Sequence, residues 1–87
     1  MLNVIFLHGL LGTASDWQGI IKNLTQFRCI ALDLPFHGAA QQIEVTNFDE
    51  ATQYLAKQIS NAVLNEPYVL VGYSLGGRLA LHYALQS

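Results

Sequence analysis

The chain closes with YVLVGYSLGGRLALHYALQS, residues 68–87. The first six residues of this stretch form a continuous apolar run that predicts a buried strand, and the residues from Leu75 onward follow a helical pattern. Between strand and helix, residues 72–76 read GYSLG and match the pattern G-x-S-x-G. A serine placed there, with glycines two residues to either side, is typical of a nucleophile elbow, the tight turn that exposes a reactive hydroxyl. The sequence therefore predicts that Ser74 is a catalytic nucleophile.

Two earlier apolar runs predict two more strands. They read NVIFLH at 3–8 and RCIALD at 28–33, and neither alternates with polar residues, which is typical of strands covered on both faces. A helix is expected between them, because Ser15 and Gln18 have the spacing of a capping box ahead of WQGIIKNL.

A longer helix is predicted at 48–64, between the second and third strands. Asn47 and Glu50 have the capping-box spacing at its start, and residues 65–67 (NEP) end it. Its apolar residues recur at helical spacing: Ala51, Leu55, Ile59, Ala62 and Val63. The order β-α-β-α-β-α predicts an α/β fold, a three-layer α/β/α parallel sheet whose ligands gather at the carboxyl ends of the strands.

Composition limits the size and the class of the protein. The chain has 87 residues, of which 52% are hydrophobic and only 11% charged. That ratio is expected of part of a larger core rather than of a self-sufficient small domain. We therefore expect residues 1–87 to form a single partial domain.

Charge and cysteine content exclude several other classes. The net charge of −2 has no basic run behind it, so we expect neither nucleic acid nor a membrane surface as a partner. The single cysteine, Cys29, cannot form an internal disulfide, which favours a buried thiol and a cytoplasmic location. The N-terminus MLNVIFLHGL lacks a positive region, and His8 and Gly9 break its apolar run, so it predicts neither a signal peptide nor a membrane span.

An acyl-transfer site needs hydrogen-bond donors for a developing oxyanion. In elbow-type sites these are the main-chain N–H after the serine and one from the loop after the neighbouring strand. Here these donors are predicted to be Leu75 and Leu10.

Three motifs together carry a family resemblance: FLHGLLGTASDW, LDLPFHG and GYSLGGRLAL. With them the whole chain resembles the N-terminal half of proteins of the α/β-hydrolase superfamily. The resemblance implies that strand 2–7 lies in the centre of the sheet between 28–33 and 68–73. Within the superfamily the chain is similar to the menaquinone-pathway synthases, which eliminate pyruvate to form 2-succinyl-6-hydroxy-2,4-cyclohexadiene-1-carboxylate. One departure is Phe36, where many relatives have glycine, and it leaves the shape of this loop open.

Arg78 is the first candidate for substrate binding. It lies four residues after Ser74 and so shares a helix face with it. A cation in the first turn opposes the helix dipole at a cost of about 0.3–1 kcal/mol, which an anionic ligand group would offset. The resemblance implies that Arg78 holds a substrate carboxylate, and the alternative is a structural salt bridge.

Two aromatic residues are also candidates. Tyr73 adjoins the nucleophile, and its ring either lines the substrate pocket or packs at the edge of the sheet. Trp17 either lines the pocket or packs the first helix on the sheet.

The three histidines have structural interpretations instead. His8 and His37 lie in turns where a ring can bind the backbone. His82 lies two helical turns after Ser74, about 12 Å along the axis and out of reach of a general base.

The triad of this superfamily runs in the order Ser, then Asp or Glu, then His, so both partners of Ser74 are expected after residue 87. We therefore expect a truncated or split enzyme, inactive by itself, that acts on a small anionic substrate without a metal or organic cofactor. Its expected partner is a separate C-terminal half or a second copy at the open sheet edge. Two alternatives stay open, a carboxylester or thioester hydrolase and a non-catalytic fragment.

Overall fold

A computed structural model describes residues 1–86, and strands and helices alternate along the chain as the sequence predicts. The three strands are β1 (Asn3–Leu7), β2 (Arg28–Leu32) and β3 (Tyr68–Gly72). The helices are α1 (Gln18–Ile21), α2 (Phe48–Val63) and α3 (Leu75–Gln86), with 3₁₀ turns at Ala14–Trp17 and Gly38–Ala40. No helix within residues 1–86 has both the length and the apolar character needed to cross a membrane.

The sheet is parallel, with strand order β2-β1-β3. Ile5 at the middle of β1 lies opposite Ile30 of β2 and Leu70 of β3. The prediction of an α/β parallel sheet with the first strand in the centre is confirmed. The carboxyl ends of the three strands, and the loops that follow them, therefore lie at the same end of the sheet.

The core lies mainly on one face of β1. Ile5 and Leu7 are fully buried there among residues of α2 and α3, including Leu55 and Leu79. On the opposite face, the Phe6 ring packs against Trp17 with ring centroids 4.8 Å apart. Because side chains alternate along a strand, β1 supplies both layers of the fold.

The expectation that all three strands are covered on both faces is correct only for β1. All five residues of β1 are buried, whereas β2 begins with exposed Arg28 and Val69 of β3 is 45% exposed. The reason is position: β2 and β3 are the outer strands, and the helical segment on the Phe6 face lies mainly against β1 and β2. An apolar run thus indicated a strand without showing how far each face is covered.

The predicted cap of the first helix is wrong by two residues. The capping interaction is made by Thr13, whose N–H donates to Asp16 Oδ2 at 3.2 Å, and not by Ser15 and Gln18. Thr13 and Asp16 have the same three-residue spacing, and the ionised carboxylate is the stronger acceptor.

The cap of α2 is where the sequence predicts it. Glu50 N–H donates to Asn47 Oδ1 at 2.8 Å. The helix ends at Val63 because Leu64 and Asn65 both take left-handed backbone conformations, with φ of 47° and 70°.

The open edge of β3 predicts self-association of the isolated 87-residue chain. Within residues 1–86 no strand pairs with the outer side of β3, and Leu81 and Leu85 of α3 are also exposed. Unpaired strand edges and exposed apolar side chains favour aggregation. We expect light scattering to report species larger than a monomer, and Val69→Lys to shift them toward monomer.

Ile20→Lys is the matched control, since Ile20 is 51% exposed but belongs to α1 rather than to the β3 edge. A monodisperse monomer with a cooperative thermal transition and low binding of a hydrophobic dye would contradict this prediction.

Candidate active site

Ser74 occupies a strained turn between β3 and α3. Its φ of 53° lies in the left-handed region, which costs a residue with a Cβ about 1–2 kcal/mol. Hydrogen bonds hold the turn: Tyr73 N–H donates to Leu7 O at 3.1 Å, and Gly76 N–H donates to Tyr73 O at 2.9 Å. Ser74 is exposed at the carboxyl end of the sheet. This is the backbone geometry of a nucleophile elbow.

The glycines of the motif are required by close backbone contacts. A Cβ on Gly76 would lie 2.5 Å from Leu7 O and 2.5 Å from His8 O. A Cβ on Gly72 would lie 2.5 Å from Gly76 O. Real Cβ atoms do not approach backbone oxygens so closely, so α3 can begin beside β1 only because these positions lack side chains.

Gly76→Ala is therefore predicted to destabilise the fold. Overpacking of a tight site typically costs about 1–3 kcal/mol, and here the neighbours are backbone atoms that cannot rotate away. Urea unfolding of Gly76→Ala should show a lower midpoint than urea unfolding of the unsubstituted chain.

Gly19→Ala is the matched control, because nothing lies within 4 Å of its added Cβ and alanine is favoured in a helix by about 0.5–1 kcal/mol. Equal urea midpoints for Gly76→Ala and Gly19→Ala would contradict the prediction, because the close contact at Gly76 would then not affect the stability of the fold.

The two predicted oxyanion donors lie on either side of this turn. Leu75 is the first residue of α3, and Leu10 follows β1 by three residues. The loop that carries Leu10 passes close to the serine, since a Cβ on Gly9 would lie 3.5 Å from Ser74 Cβ. No acceptor within residues 1–86 binds the main-chain N–H of Leu10 or Leu75. Both donors are thus available, and their role stays a prediction.

An apolar cavity of about 510 Å³ opens beside these donors. It lies between the loops after β1 and β2 and the first turns of α2 and α3. Leucine, phenylalanine, proline and valine side chains form most of its wall, which suits the hydrocarbon part of a ligand. Its lining includes Leu10, Leu75, Phe36 and Phe48.

Tyr73 and Trp17 line a second, smaller cavity of about 270 Å³. Leu10 borders both cavities. Tyr73 is 67% exposed, and its ring lies against Gly9. Trp17 packs on Phe6, so it fastens the first helical segment to the sheet, and its buried Nε1 has no acceptor within residues 1–86. A role of either residue in ligand binding stays a prediction.

Arg78 lies one turn after the serine, as predicted, but makes no salt bridge with a carboxylate of residues 1–86. Its guanidinium lies over the Phe48 ring, with Cζ 5.6 Å from the ring centroid. The salt-bridge alternative thus has no partner among the described residues.

The histidines have the structural roles that the sequence predicts. His8 is fully buried, accepts from Leu34 N–H at Nε2 (3.0 Å) and donates from Nδ1 to Gly9 O (2.8 Å). His37 likewise accepts from Leu11 N–H at Nε2 (3.0 Å) and donates from Nδ1 to Pro35 O (2.9 Å). Both ring nitrogens of His8 and of His37 are therefore engaged by main-chain groups.

His82 binds Asp49 rather than Ser74. Within residues 1–86 no group of three or more His, Cys, Asp or Glu side chains is arranged to hold a metal ion.

Asp33 was given no role by the sequence analysis, yet it joins the loops around the site. Its Oδ1 accepts from Ala14 N–H at 2.8 Å, and its Oδ2 accepts from Ala39 N–H at 3.0 Å. Burial tends to raise the pKa of Asp33, but these two hydrogen bonds and the nearby His8 and His37 outweigh it and lower the pKa below its usual value. The sequence feature that could have identified this role is the position of Asp33 at the carboxyl end of the second predicted strand.

Phe36 keeps the loop shape that glycine would favour. Its φ is 71°, and its N–H donates to Ala40 O at 3.0 Å. A bulky residue in this region is strained, and the strain lies beside the cavity that Phe36 lines. The Phe36 side chain thus forms part of the cavity wall, where glycine would place no side chain.

Comparison with known proteins defines the class. Residues 3–87 match the family described as alpha/beta hydrolase fold, and the chain belongs to that family.

The more specific relatives are synthases. A Haemophilus influenzae protein provisionally named 2-succinyl-6-hydroxy-2,4-cyclohexadiene-1-carboxylate synthase is 68% identical over 87 residues, which are 100% of this chain and 35% of that protein. The Enterobacter sp. synthase of the same name is 43% identical over 84 residues, covering 95% of this chain and 32% of that protein. The chain thus spans about a third of the length of these relatives.

Solved structures agree with the fold. Staphylococcus aureus MenH superposes with a TM-score of 0.80 at 33% identity, covering 99% of this chain and 33% of that one. The RedJ thioesterase of Streptomyces coelicolor superposes with a TM-score of 0.83, covering 98% of this chain and 33% of that one. At 22% identity, the RedJ similarity concerns the fold alone.

Proposed function

We propose that the chain is the nucleophile-bearing part of a 2-succinyl-6-hydroxy-2,4-cyclohexadiene-1-carboxylate synthase. The relatives named above support this, since the Haemophilus influenzae protein is similar along the whole chain. The observation that carries the proposal is the pairing of a strained, exposed serine with a cation that has no carboxylate partner within residues 1–86. Ser74 and Arg78 lie one helical turn apart, beside an apolar cavity of about 510 Å³.

The proposed reaction begins with the loss of a ring proton from an anionic cyclohexene carboxylate. Ser74, activated by a histidine and an acidic residue, removes the proton, and the electron pair forms the new ring double bond. The C–O bond to the pyruvate portion breaks, and the departing group takes up a proton to become pyruvate. The N–H groups of Leu10 and Leu75 stabilise negative charge on oxygen during this step, and Arg78 holds a carboxylate.

The proposal assigns the histidine and the acidic residue to a further part of the enzyme. The open edge of β3 and the exposed Leu81 and Leu85 are suited to receive that part, as a separate chain or as a second copy. The half-buried free thiol of Cys29 fits a reducing compartment, and we propose a cytoplasmic location.

A carboxylester or thioester hydrolase is the second candidate. Ser74 would then attack a carbonyl carbon and form an acyl-enzyme, with the same two N–H donors on the oxyanion. The strained turn at Ser74 fits this chemistry as well as it fits the synthase reaction. A non-catalytic fragment is the third candidate.

A fusion protein separates the three candidates. This chain would be joined to the C-terminal two thirds of the Haemophilus influenzae relative and assayed for pyruvate release from the synthase substrate, beside a neutral ester and a thioester. Pyruvate release supports the synthase, and acid release without pyruvate supports the hydrolase. A folded fusion that does neither would overturn both enzyme proposals.

Ser74→Ala in this fusion should abolish turnover and leave substrate binding nearly unchanged. The hydroxyl acts on the transition state and contributes little to ground-state affinity. Steady-state kinetics and a binding titration measure the two effects. Ser60→Ala, at an exposed serine of α2, is the control and should behave as wild type. Undiminished turnover in Ser74→Ala would end the assignment of Ser74 as nucleophile.

Arg78→Ala should weaken binding of the anionic substrate more than that of a neutral ester. Loss of a charge-assisted hydrogen bond costs about 1.5–3 kcal/mol, or about 10- to 150-fold in affinity. Arg78→Lys should restore part of it, because an ammonium keeps the charge without the planar fork. Lys57→Ala, which removes an exposed cation of α2, is the control. Equal losses on charged and neutral substrates would make Arg78 structural.

A further inference from the structure

Three residues of α3 form a stripe that faces the start of α2. Arg78, His82 and Gln86 are spaced four residues apart and therefore lie on one face of the helix. Each contacts one of the first two residues of α2. Arg78 lies over the ring of Phe48, while His82 and Gln86 bind Asp49.

One oxygen of the Asp49 carboxylate is engaged by this stripe. Its Oδ1 binds His82 Nε2 at 2.9 Å and accepts from Gln86 Nε2 at 2.7 Å. The hydrogen bonds from His82 and Gln86 lower the pKa of Asp49, so the group remains an anion at neutral pH. Asp49 directly follows Phe48, whose ring Arg78 covers, and Arg78 is the one arginine or lysine of α3. A carboxylate released by His82 and Gln86 would therefore have Arg78 as its cationic partner on that helix.

The other acidic residue at the start of α2 is engaged as well. Glu50 Oε1 accepts from Thr46 N–H at 2.7 Å and from the Thr46 hydroxyl at 2.9 Å. Arg28 provides a contrast, since its guanidinium donates to Asn3 Oδ1 at 3.0 Å and to Ala62 O at 2.8 Å. Within residues 1–86 the guanidinium of Arg78 has no such acceptor.

Phe48 connects the stripe to the apolar cavity. Its ring stacks on the His82 ring, with centroids 5.5 Å apart and an angle of 29°, and it also lines the cavity of about 510 Å³. A guanidinium over an aromatic face is attracted to the ring but keeps its N–H groups free for a ligand. The Phe48 ring therefore holds the Arg78 cation at the border of an apolar space.

We infer that His82 and Gln86 are positioning residues that keep Asp49 from neutralising Arg78. The guanidinium on Phe48 then stays available for the anionic group of a ligand whose hydrocarbon part enters the cavity. The inference rests on the proposed function only for the role of Arg78 as the anion-binding group. It identifies the ligand class as an anion with an apolar hydrocarbon part.

The alternative is that His82, Gln86 and Asp49 merely tie α3 to α2. The two interpretations differ in what removal of the Asp49 charge does. If the residues only tie the helices, Asp49→Asn has no further effect once His82 and Gln86 are replaced, because both partners of Asp49 are already gone. If they keep Asp49 away from Arg78, Asp49→Asn restores the affinity for the anionic ligand.

The test uses the fusion protein and two probes, benzoate and its neutral methyl ester, with dissociation constants measured by calorimetry. His82→Phe with Gln86→Leu removes both hydrogen bonds to Asp49 while a ring still stacks on Phe48. We expect this variant to bind benzoate about tenfold more weakly, the lower end of the effect of losing a charge-assisted hydrogen bond. Methyl benzoate should bind unchanged, and adding Asp49→Asn should restore the affinity for benzoate.

Gln53→Leu, at an exposed glutamine of α2, is the control for a surface Gln-to-Leu change and should have no effect. Thermal unfolding checks that each variant is folded. If the double variant does not fold, Gln86→Leu alone should show a smaller loss in the same direction.

Equal losses for both probes, or no recovery with Asp49→Asn, would overturn the inference. Neither probe needs turnover, so absence of pyruvate release would count against the proposed function alone.

Discussion

The position of the site depends on one close contact, the approach of α3 to the end of β1 at Gly76. Where a side chain would begin, the carbonyl oxygens of Leu7 and His8 already lie 2.5 Å away. Because the helix can start there, Ser74 lies at the tip of the turn and Leu75 presents its N–H beside the loop of Leu10. The same contact sets the direction of α3 and so places Arg78 over the start of α2.

Three residues with strained backbone lie in the turns at the carboxyl ends of the strands, and hydrogen bonds hold these turns. Leu11, Phe36 and Ser74 all have positive φ, and each lies in a turn at the carboxyl end of a strand. His37 accepts the N–H of Leu11, and Asp33 accepts N–H groups from the loops after β1 and β2. Strained residues persist when the surrounding structure determines them. Here the His37 side chain does so for Leu11, and backbone hydrogen bonds do so at Phe36 and Ser74.

The sequence was sufficient for the sheet and for the turn at Ser74, because both depend on local patterns. Continuous apolar runs placed the strands within a residue, and the G-x-S-x-G spacing located the left-handed serine. The sequence was not sufficient for features set by contacts between distant segments. The exposure of Val69 depends on which elements cover that face of β3, and the two hydrogen bonds of Asp33 depend on how two loops fold together.

The two helices that border the cavity, α2 and α3, differ in how far the positive end of the helix dipole is neutralised. At α2 the side chain of Asn47 accepts Glu50 N–H, and Asp49 and Glu50 in the first turn complement the dipole, so this terminus is satisfied within the chain. The first turn of α3 holds no acidic residue, contains Gly76 and Gly77, and adds the cation Arg78. The positive potential at the N-terminus of α2 is therefore neutralised within the chain. The positive potential at the N-terminus of α3 is not, and it lies on the side where Ser74 is exposed. A ligand anion is the group that would complement it, and the engagement of Asp49 by His82 keeps the chain from supplying that anion itself.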